Sequence, residues 1–398
     1  MDKGDLGIVS SGTTAMARPR VLILHPALTP YRIDLFNALA DPFDLTTLFF
    51  RPNPVSQSFD QTRLRRQLRC AHGDLNQGID LFGRQFRWGI GRALRVHRPD
   101  VVVVMEYAPS TWMVAWQRWI GRKDFGLLIW TADNVEMCLG ASPIRSMARK
   151  FLLSHADGLI VYSAVVRDWF VGWGMDHEKM AVCANINDPG RFRARLQEAR
   201  DLACSLWQRY RFQGRFVFLS VGRLAAIKGV DRILLAFHEV HRLRPETRLV
   251  IVGDGAERER LESSMRALRL EEVILFTGQL LEQELAAWYL LGQVFLLASS
   301  FEPYGAVIHE ALTAGMPVVC SRVAGGRDLI VEGKNGWLFD PWDRDALVVC
   351  MMNAMAGRPL SSMPAAALPP DLMPIAFADG VAQFVRLVRQ TAKHTEEE

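Results

Sequence analysis

Two pairs of charged side chains have a spacing that chemistry can use. In Gly222-Arg-Leu-Ala-Ala-Ile-Lys-Gly229 the cations Arg223 and Lys228 stand five residues apart, between a strand-like run and an amphipathic stretch. Two cations on a loop at a strand's carboxyl end, near the unpaired N–H groups of a helix N-terminus, make a pyrophosphate clamp. Gly222 and Gly229 let the backbone turn tightly and approach a ligand. Taken alone, the loop also reads as a solvated turn with two surface charges. The second pair is Glu302 and Glu310, in Ser299-Ser-Phe-Glu-Pro-Tyr-Gly-Ala-Val-Ile-His-Glu-Ala-Leu-Thr-Ala-Gly-Met-Pro-Val-Val319. Pro303 biases Glu302 away from helix, so Glu302 sits on the loop. The helix starts near Gly305, placing Glu310 about one and a half turns inside. Val307, Ile308, Ala311, Leu312 and Ala314 cover most of its circumference, so it is largely buried. A carboxylate there costs several kcal/mol unless paired, so either an arginine neutralises Glu310 or ligand hydroxyls use it.

Weaker candidates surround these. Asp133, in Trp130-Thr-Ala-Asp-Asn134, follows an apolar run and can orient or deprotonate a substrate hydroxyl, or simply cap the next segment. Glu106, after residues 101–105, is a similar cleft-edge candidate. Asp343-Arg-Asp345 has a metal-binding pattern but precedes a helix, where capping explains it better. Val252-Gly-Asp-Gly-Ala lacks the third glycine of a dinucleotide fingerprint. His309 can touch a ligand or pack hydrogen-bonded in the core.

The elements that must position these residues alternate short apolar runs with amphipathic stretches, the pattern of an α/β protein with parallel sheets. Strands are predicted at 20–25, 44–50, 101–105, 126–130 and 158–162, with a helix at 30–40 that has Thr29 as N-cap and Pro30 at its first position. Turn residues cluster in Asn185-Ile-Asn-Asp-Pro-Gly190, where the domain boundary is placed. A second series follows at 216–221, 248–252, 273–276, 294–297, 317–320 and 337–339, a doubly wound domain whose ligand site belongs at the carboxyl ends of its strands. The expected organisation is a flexible tail (1–17), a first Rossmann-like domain (18–188), a second (189–372), and a C-terminal helix with a charged tail (373–398) that packs on either domain. Residues 359–374, rich in Pro, Ala, Ser and Met, read as a linker.

The Glu302-x7-Glu310 spacing followed by Ala-Leu-Thr-Ala-Gly-Met-Pro-Val-Val resembles the signature of retaining glycosyltransferases of family 4, which have the two-domain GT-B fold. The Val221-Gly-Arg-Leu and Lys228-Gly pair is similar to their diphosphate clamp. Val252-Gly-Asp-Gly-Ala, Phe276-Thr-Gly, Ala298-Ser and Lys334-Asn-Gly-Trp-Leu-Phe-Asp-Pro fall in the family's order, and Asn185-Ile-Asn-Asp188 resembles its linker opening. Thr29-Pro-Tyr-Arg-Ile-Asp-Leu-Phe-Asn-Ala-Leu39 resembles one subgroup's first loop and helix. The match is dense from 216 to 347, weaker from 20 to 188, and absent in 51–85.

The resemblance implies a fold of two Rossmann-like doubly wound domains facing a cleft, and a sugar transferred with retention from a nucleotide-diphospho-sugar. Arg223 and Lys228 would hold the diphosphate, and Glu310 the ribose hydroxyls. Glu302, with the backbone of Tyr304, Gly305, Ala306 and Val307, would hold the transferred sugar. The nucleobase would lie by Gly278 and Leu280. No metal and no cofactor beyond the nucleotide-sugar co-substrate are implied. The acceptor would be a glycan, a lipid-linked sugar or a lipopolysaccharide. A sugar-nucleotide epimerase or phosphorylase on the same fold, and a non-catalytic nucleotide-sugar sensor, are the alternatives. The first loop, Pro26-Ala-Leu-Thr-Pro30, lacks the glycines that many members carry, and Trp130-Thr-Ala-Asp-Asn134 lacks their histidine. These departures bear on the acceptor side, where Asp133 stands.

Composition narrows the setting. The 398 residues are 49% hydrophobic and 23% charged, too long for one core and too apolar for disorder. Residues 1–200 hold 26 basic and 19 acidic side chains, while 201–398 hold 21 and 24, so the first half faces something anionic. No apolar run approaches the roughly 18 residues of a membrane span. The six scattered cysteines look like buried reduced thiols, and a cytoplasmic protein is expected. Arginines interleaved with aliphatic and aromatic residues over 63–98 read either as a solvated helix face or as a surface that docks on anionic lipids at the inner membrane face. Nucleic acid is not expected, since no reader motif accompanies the charge. Trp112, Trp116 and Trp119 share one helical face, which is predicted to pack in the core, with sugar stacking or membrane contact as the alternative.

Overall fold

The computed structural model describes residues 18–54, 59–81, 84–121, 125–280 and 282–397, so the tail predicted for 1–17 lies outside the described residues. Strands β1 (Arg20–His25), β2 (Asp44–Phe49) and β3 (Ala71–Asp74) are followed by a hairpin, β4 (Gly78–Leu81) and β5 (Arg84–Arg87). Then come β6 (Val101–Met105), β7 (Gly126–Trp130), β8 (Gly158–Val161) and β9 (Met180–Val182). All but the hairpin form one parallel seven-stranded sheet, in the order β3-β2-β1-β6-β7-β8-β9. A second parallel sheet takes β10 (Phe216–Val221), β11 (Thr247–Val252), β12 (Ile274–Gly278), β13 (Val294–Leu297), β14 (Val318–Ser321) and β15 (Gly336–Phe339), in the order β12-β11-β10-β13-β14-β15.

The central strands form because they are covered on both faces. Val101–Met105 is buried at every residue, which favours a β-branched run with no polar alternation. The helix Val230–Leu243 buries Val230, Ile233, Leu234, Phe237 and Val240 on the second sheet, a single apolar stripe at helical spacing. Two sheets and their covering helices are the GT-B architecture.

Four strands predicted for neither half are β3, β4, β5 and β9. Ala-His-Gly-Asp and Met-Ala-Val are short edge strands with little apolar alternation of their own, and the hairpin falls where the family pattern is absent. The predicted helix at 30–40 begins as a 3-10 turn (Pro30–Arg32) and continues as Ile33–Ala40; Thr29 has N-cap geometry but makes no capping hydrogen bond.

The segment predicted as a linker is tied down along the second domain. Its Ser361 N–H donates to the Arg215 carbonyl at 2.6 Å, Asn335 Nδ2 donates to the Leu372 carbonyl at 3.0 Å, and Leu372 N–H donates to Leu312 at 3.0 Å. It delivers the helix Phe377–Glu397 to the first sheet, where Phe384 packs edge-on to Trp130 at 5.5 Å between ring centroids and Gln383 accepts from Val182 N–H at 3.0 Å. Across the two domains, Arg191 pairs with Asp34 at 2.6 Å and Arg327 with Glu136 at 2.6 Å.

The tryptophan prediction is corrected. Trp112 is half-buried and stacked on Phe151 at 5.6 Å, but Trp116 and Trp119 are 58% and 42% exposed. The helix Pro109–Gly121 buries Val114 and Ala115 instead, so the stripe of smaller residues faces the sheet. Of the arginines of 63–98, Arg65 pairs with Asp74, Arg69 with Asp41 and the buried Arg87 with Asp80, while Arg66, Arg92, Arg95 and Arg98 are exposed and make no ion pair among the described residues.

Candidate active site

In each sheet the strand order reverses once, between β1 and β6 and between β10 and β13. At such a switch point the connecting loops diverge and leave a crevice at the carboxyl ends. The loops after β1 and β10 meet the loop after β13 around a cleft of about 700 Å³, lined from the first domain by His25, Arg32 and Tyr162 and from the second by Arg223, Lys228 and Glu302 among others.

Seven of the sequence-predicted residues line this cleft: Arg223, Lys228, Glu302, Tyr304, Gly305, Ala306 and Val307. Arg223 is exposed and makes no ion pair among the described residues. The Lys228 ammonium donates to the Glu302 carboxylate, which is only 7% exposed. Gly229 follows in the left-handed region (φ 65°) and caps the helix Val230–Leu243; a Cβ there would lie 2.1 Å from the Ala298 carbonyl oxygen, so glycine is what lets the loop after β10 close on the strand carrying the glutamate loop. The helix Ala306–Thr313 opens on Gly305 (φ 90°), and its first N–H groups face the cleft. The sequence-predicted start of that helix was Gly305, one residue away.

Glu310 lies a turn further along the helix face that carries Ala306. It accepts a hydrogen bond from Tyr289 Oη at 2.7 Å; burial pushes its pKa up, and that bond together with nearby Arg195 pulls it down. Of the two outcomes the sequence left open, a pairing partner exists, but it is a phenol rather than an arginine. Gly278 (φ 79°) ends β12 and Leu280 is half-buried just beyond, both at the carboxyl edge but outside the cleft lining. His309 is buried and neutral, its pKa lowered to about 3 by burial; its Nε2 accepts from the Asn187 N–H at 3.2 Å, so it ties the second domain to the interdomain segment. Asp343 caps the helix Arg344–Met355, accepting from Ala346 N–H at 2.9 Å.

Asp133 lines an adjoining pocket of about 500 Å³ rather than the cleft. It is 3% exposed and paired with Arg149 at 2.9 Å, while Asn134, not Asp133, caps the next helix. Glu106 sits beside it with φ 62°, a strained conformation for a non-glycine residue, held by Thr131 Oγ1 (3.1 Å) and Ala132 N–H (2.8 Å) donating to its carboxylate. Burial, then the Asp133 charge, raise its pKa to about 7. A carboxyl raised from 4.5 favours the folded state at low pH and loses that contribution as pH climbs through 7. Glu106→Gln is therefore expected to flatten the decline of folding stability between pH 5 and 8, by roughly 2–3 kcal/mol at pH 8. Urea denaturation of both proteins across that range checks it, and parallel curves would show that Glu106 is ionised throughout.

Sequence reasoning missed Arg32 as a functional residue. Its guanidinium is 3% exposed, donates through Nη2 to Tyr162 Oη, and lies 4.4 Å over the Trp130 ring. Its Nε and Nη1 have no hydrogen-bond partner among the described residues, and no carboxylate pairs with it there. Tyr162 in turn packs against Tyr304 at 5.3 Å, so this cation borders the second domain's glutamate loop. The Pro-Tyr-Arg triplet does not reveal it, because the rings around it, Trp130 and Tyr162, come from far along the chain.

Residues 28–185 match the model of a glycosyl transferase 4-like domain, and 207–365 that of glycosyl transferases group 1. A mannosylfructose-phosphate synthase of Agrobacterium fabrum is 31% identical over 153 residues, 36% of this chain and 34% of that protein. A lipopolysaccharide core biosynthesis glycosyltransferase of Rhizobium meliloti is 29% identical over 298 residues, 71% of this chain and 76% of that protein. The chain spans between about a quarter and a half of the length of the curated relatives it matches first. Among solved structures, the Anabaena protein HepE in complex with UDP superposes with a TM-score of 0.66 at 19% identity, over 95% of this chain and 100% of that one. With one family model on each sheet and both switch points facing a shared cleft, the chain belongs to the group 1 glycosyltransferases of GT-B fold.

Proposed function

We propose that the protein transfers a sugar, with retention and without a metal, from a nucleotide-diphospho-sugar to a hydroxyl of a glycan or lipid-linked acceptor. The observation that carries this is the cleft itself, where Arg223, Lys228 and the start of the helix Ala306–Thr313 converge from one domain opposite Arg32 of the other. As the bond from the anomeric carbon to the phosphate oxygen breaks, negative charge grows on the diphosphate. Fixed cations and backbone N–H groups lower the energy of that state. The acceptor hydroxyl adds to the anomeric carbon from the same face, and its proton passes to the departing phosphate oxygen.

Glu310, held by Tyr289, has a carboxylate oxygen left to accept ribose hydroxyls. Glu302 positions Lys228 and borders the sugar. Arg32 supplies a second-domain-facing cation whose missing counter-charge a substrate phosphate would provide. The relatives' names, a lipopolysaccharide core transferase among them, support a cell-surface glycan or glycolipid product.

Incubation with UDP-, GDP- and ADP-sugars tests the reading. Wild type is expected to release nucleoside diphosphate from at least one, and Arg223→Ala to lose that activity by about 10²-fold, with turnover unchanged by EDTA and the anomeric configuration kept in the product by proton NMR. No binding or release with any donor would sink the reading.

No helix among the described residues is long and apolar enough to cross a membrane. A lipid-linked acceptor would instead bring the first domain to a membrane surface, and the exposed Trp116, Trp119 and Ile120 suit that contact, as do the exposed Arg92, Arg95 and Arg98. Flotation with anionic liposomes is expected to weaken on Trp116→Ser; co-flotation unaffected by it would place the contact elsewhere.

A further inference from the structure

The pocket holding Asp133 is built for a ligand of its own. It opens beside the cleft, since Pro26, Arg51, Gln85 and Met105 line both. Three buried polar atoms in its wall, Tyr107 Oη, Ser110 Oγ and Arg149 Nη1, have no hydrogen-bond partner among the described residues. Ser110 is 1% exposed and Arg149 is 3% exposed. Buried groups of this kind almost always have partners in folded proteins. All three can donate, and Arg149 Nη1 can only donate, so the partner must bring acceptor oxygens.

Charge points the same way. The side chain of Arg145, on the rim, makes no ion pair or hydrogen bond among the described residues, while Arg51, where the pocket meets the cleft, pairs with Asp80 outside it at 3.4 Å. Among the described residues lining the pocket only Asp133 and Glu106 are acidic, and Glu106 is already engaged by Thr131 and Ala132. A bare anion would not explain the remaining feature: Asp133 Oδ2 lies 2.9 Å from Arg149 Nη2 yet outside hydrogen-bond geometry, leaving an acceptor for a hydroxyl donor. Half-buried Trp112 and exposed Ile144 add apolar surface of the sort that covers a pyranose face.

We propose that this pocket is an acceptor subsite, and that it takes a glycosyl unit carrying a carboxylate or phosphate substituent. The donors of Tyr107, Ser110, Arg145 and Arg149 hold the anionic oxygens, while Asp133 accepts from a ring hydroxyl. The unit bound here is next to the one that receives the sugar, because the pocket opens beside the cleft. This rests on the transfer reaction proposed above.

Calorimetric titration of the full chain with methyl glucuronide, glucose 6-phosphate, methyl glucoside and inorganic phosphate, all without nucleotide, tests it. At least one of the two charged sugars is expected to bind about tenfold or more tighter than methyl glucoside and than phosphate. Arg145→Gln is expected to remove that preference, and Tyr107→Phe to reduce it, both with UDP binding unchanged. Arg145 is exposed, so its loss leaves the fold intact. Equal binding of charged and neutral sugars, phosphate binding as tightly as both charged sugars, or a preference untouched in both variants would overturn the subsite. Because no donor is present, these outcomes are separate from failure of the nucleotide-release assay.

Discussion

Lys228→Met is expected to lower turnover with a nucleotide sugar by about 10²–10³-fold, the usual cost of removing one fixed charge from the path of a developing anion. It is also expected to destabilise the protein, by about 3 kcal/mol. The reason is the partner left behind: the Glu302 carboxylate, 7% exposed, loses its counter-ion. The two effects separate in the double variant Lys228→Met/Glu302→Gln. Removing the orphaned charge should restore most of the stability, whereas turnover stays low because the Lys228 charge is still missing from the diphosphate. Denaturation and steady-state kinetics on the three proteins check this. Recovery of turnover in the double variant would mean that Lys228 serves only to neutralise Glu302.

Arg32→Met is expected to do the opposite to stability and the same to activity. A guanidinium 3% exposed, with two nitrogens unpartnered and no carboxylate paired among the described residues, is a charge held out of water at a cost. Methionine keeps the stem's packing and removes the charge, so a gain of about 1–3 kcal/mol is expected. Turnover should fall by about 10²-fold, because the cation the first domain offers to a substrate anion is gone. The stabilisation of wild type by a saturating nucleotide sugar should also exceed that of the variant. If Arg32→Met instead unfolds the protein, the hydrogen bond to Tyr162 and the contact with Trp130 are its purpose.

Much of the second domain was legible in the sequence. Its strands alternate with helices of ordinary length, and its loop chemistry is local: Arg223, Lys228, Gly229 and Glu302 all lie on the loops that directly follow β10 and β13. Predicted bounds differ from observed ones by a residue or two, as at β12, where the strand runs on to Gly278. The Trp112, Trp116 and Trp119 face was misjudged because helical periodicity identifies a shared face without saying which neighbour covers it. Here the sheet takes Val114 and Ala115, and two indoles stay outside.

By itself the sequence determined which residues could bind a diphosphate, since backbone turns, helix starts and cation spacing are properties of contiguous chain. Tertiary structure alone decided what each charge faces. Lys228 meets Glu302 across 74 residues, Arg32 meets Tyr162 across 130, and Asp133 meets Arg149 on a helix that packs back over its own loop. Periodicity cannot rank such encounters, because pairing depends on which strands become neighbours. Burial then sets the outcome, turning one arginine into half of a neutral pair and leaving another as a buried cation with no carboxylate partner among the described residues.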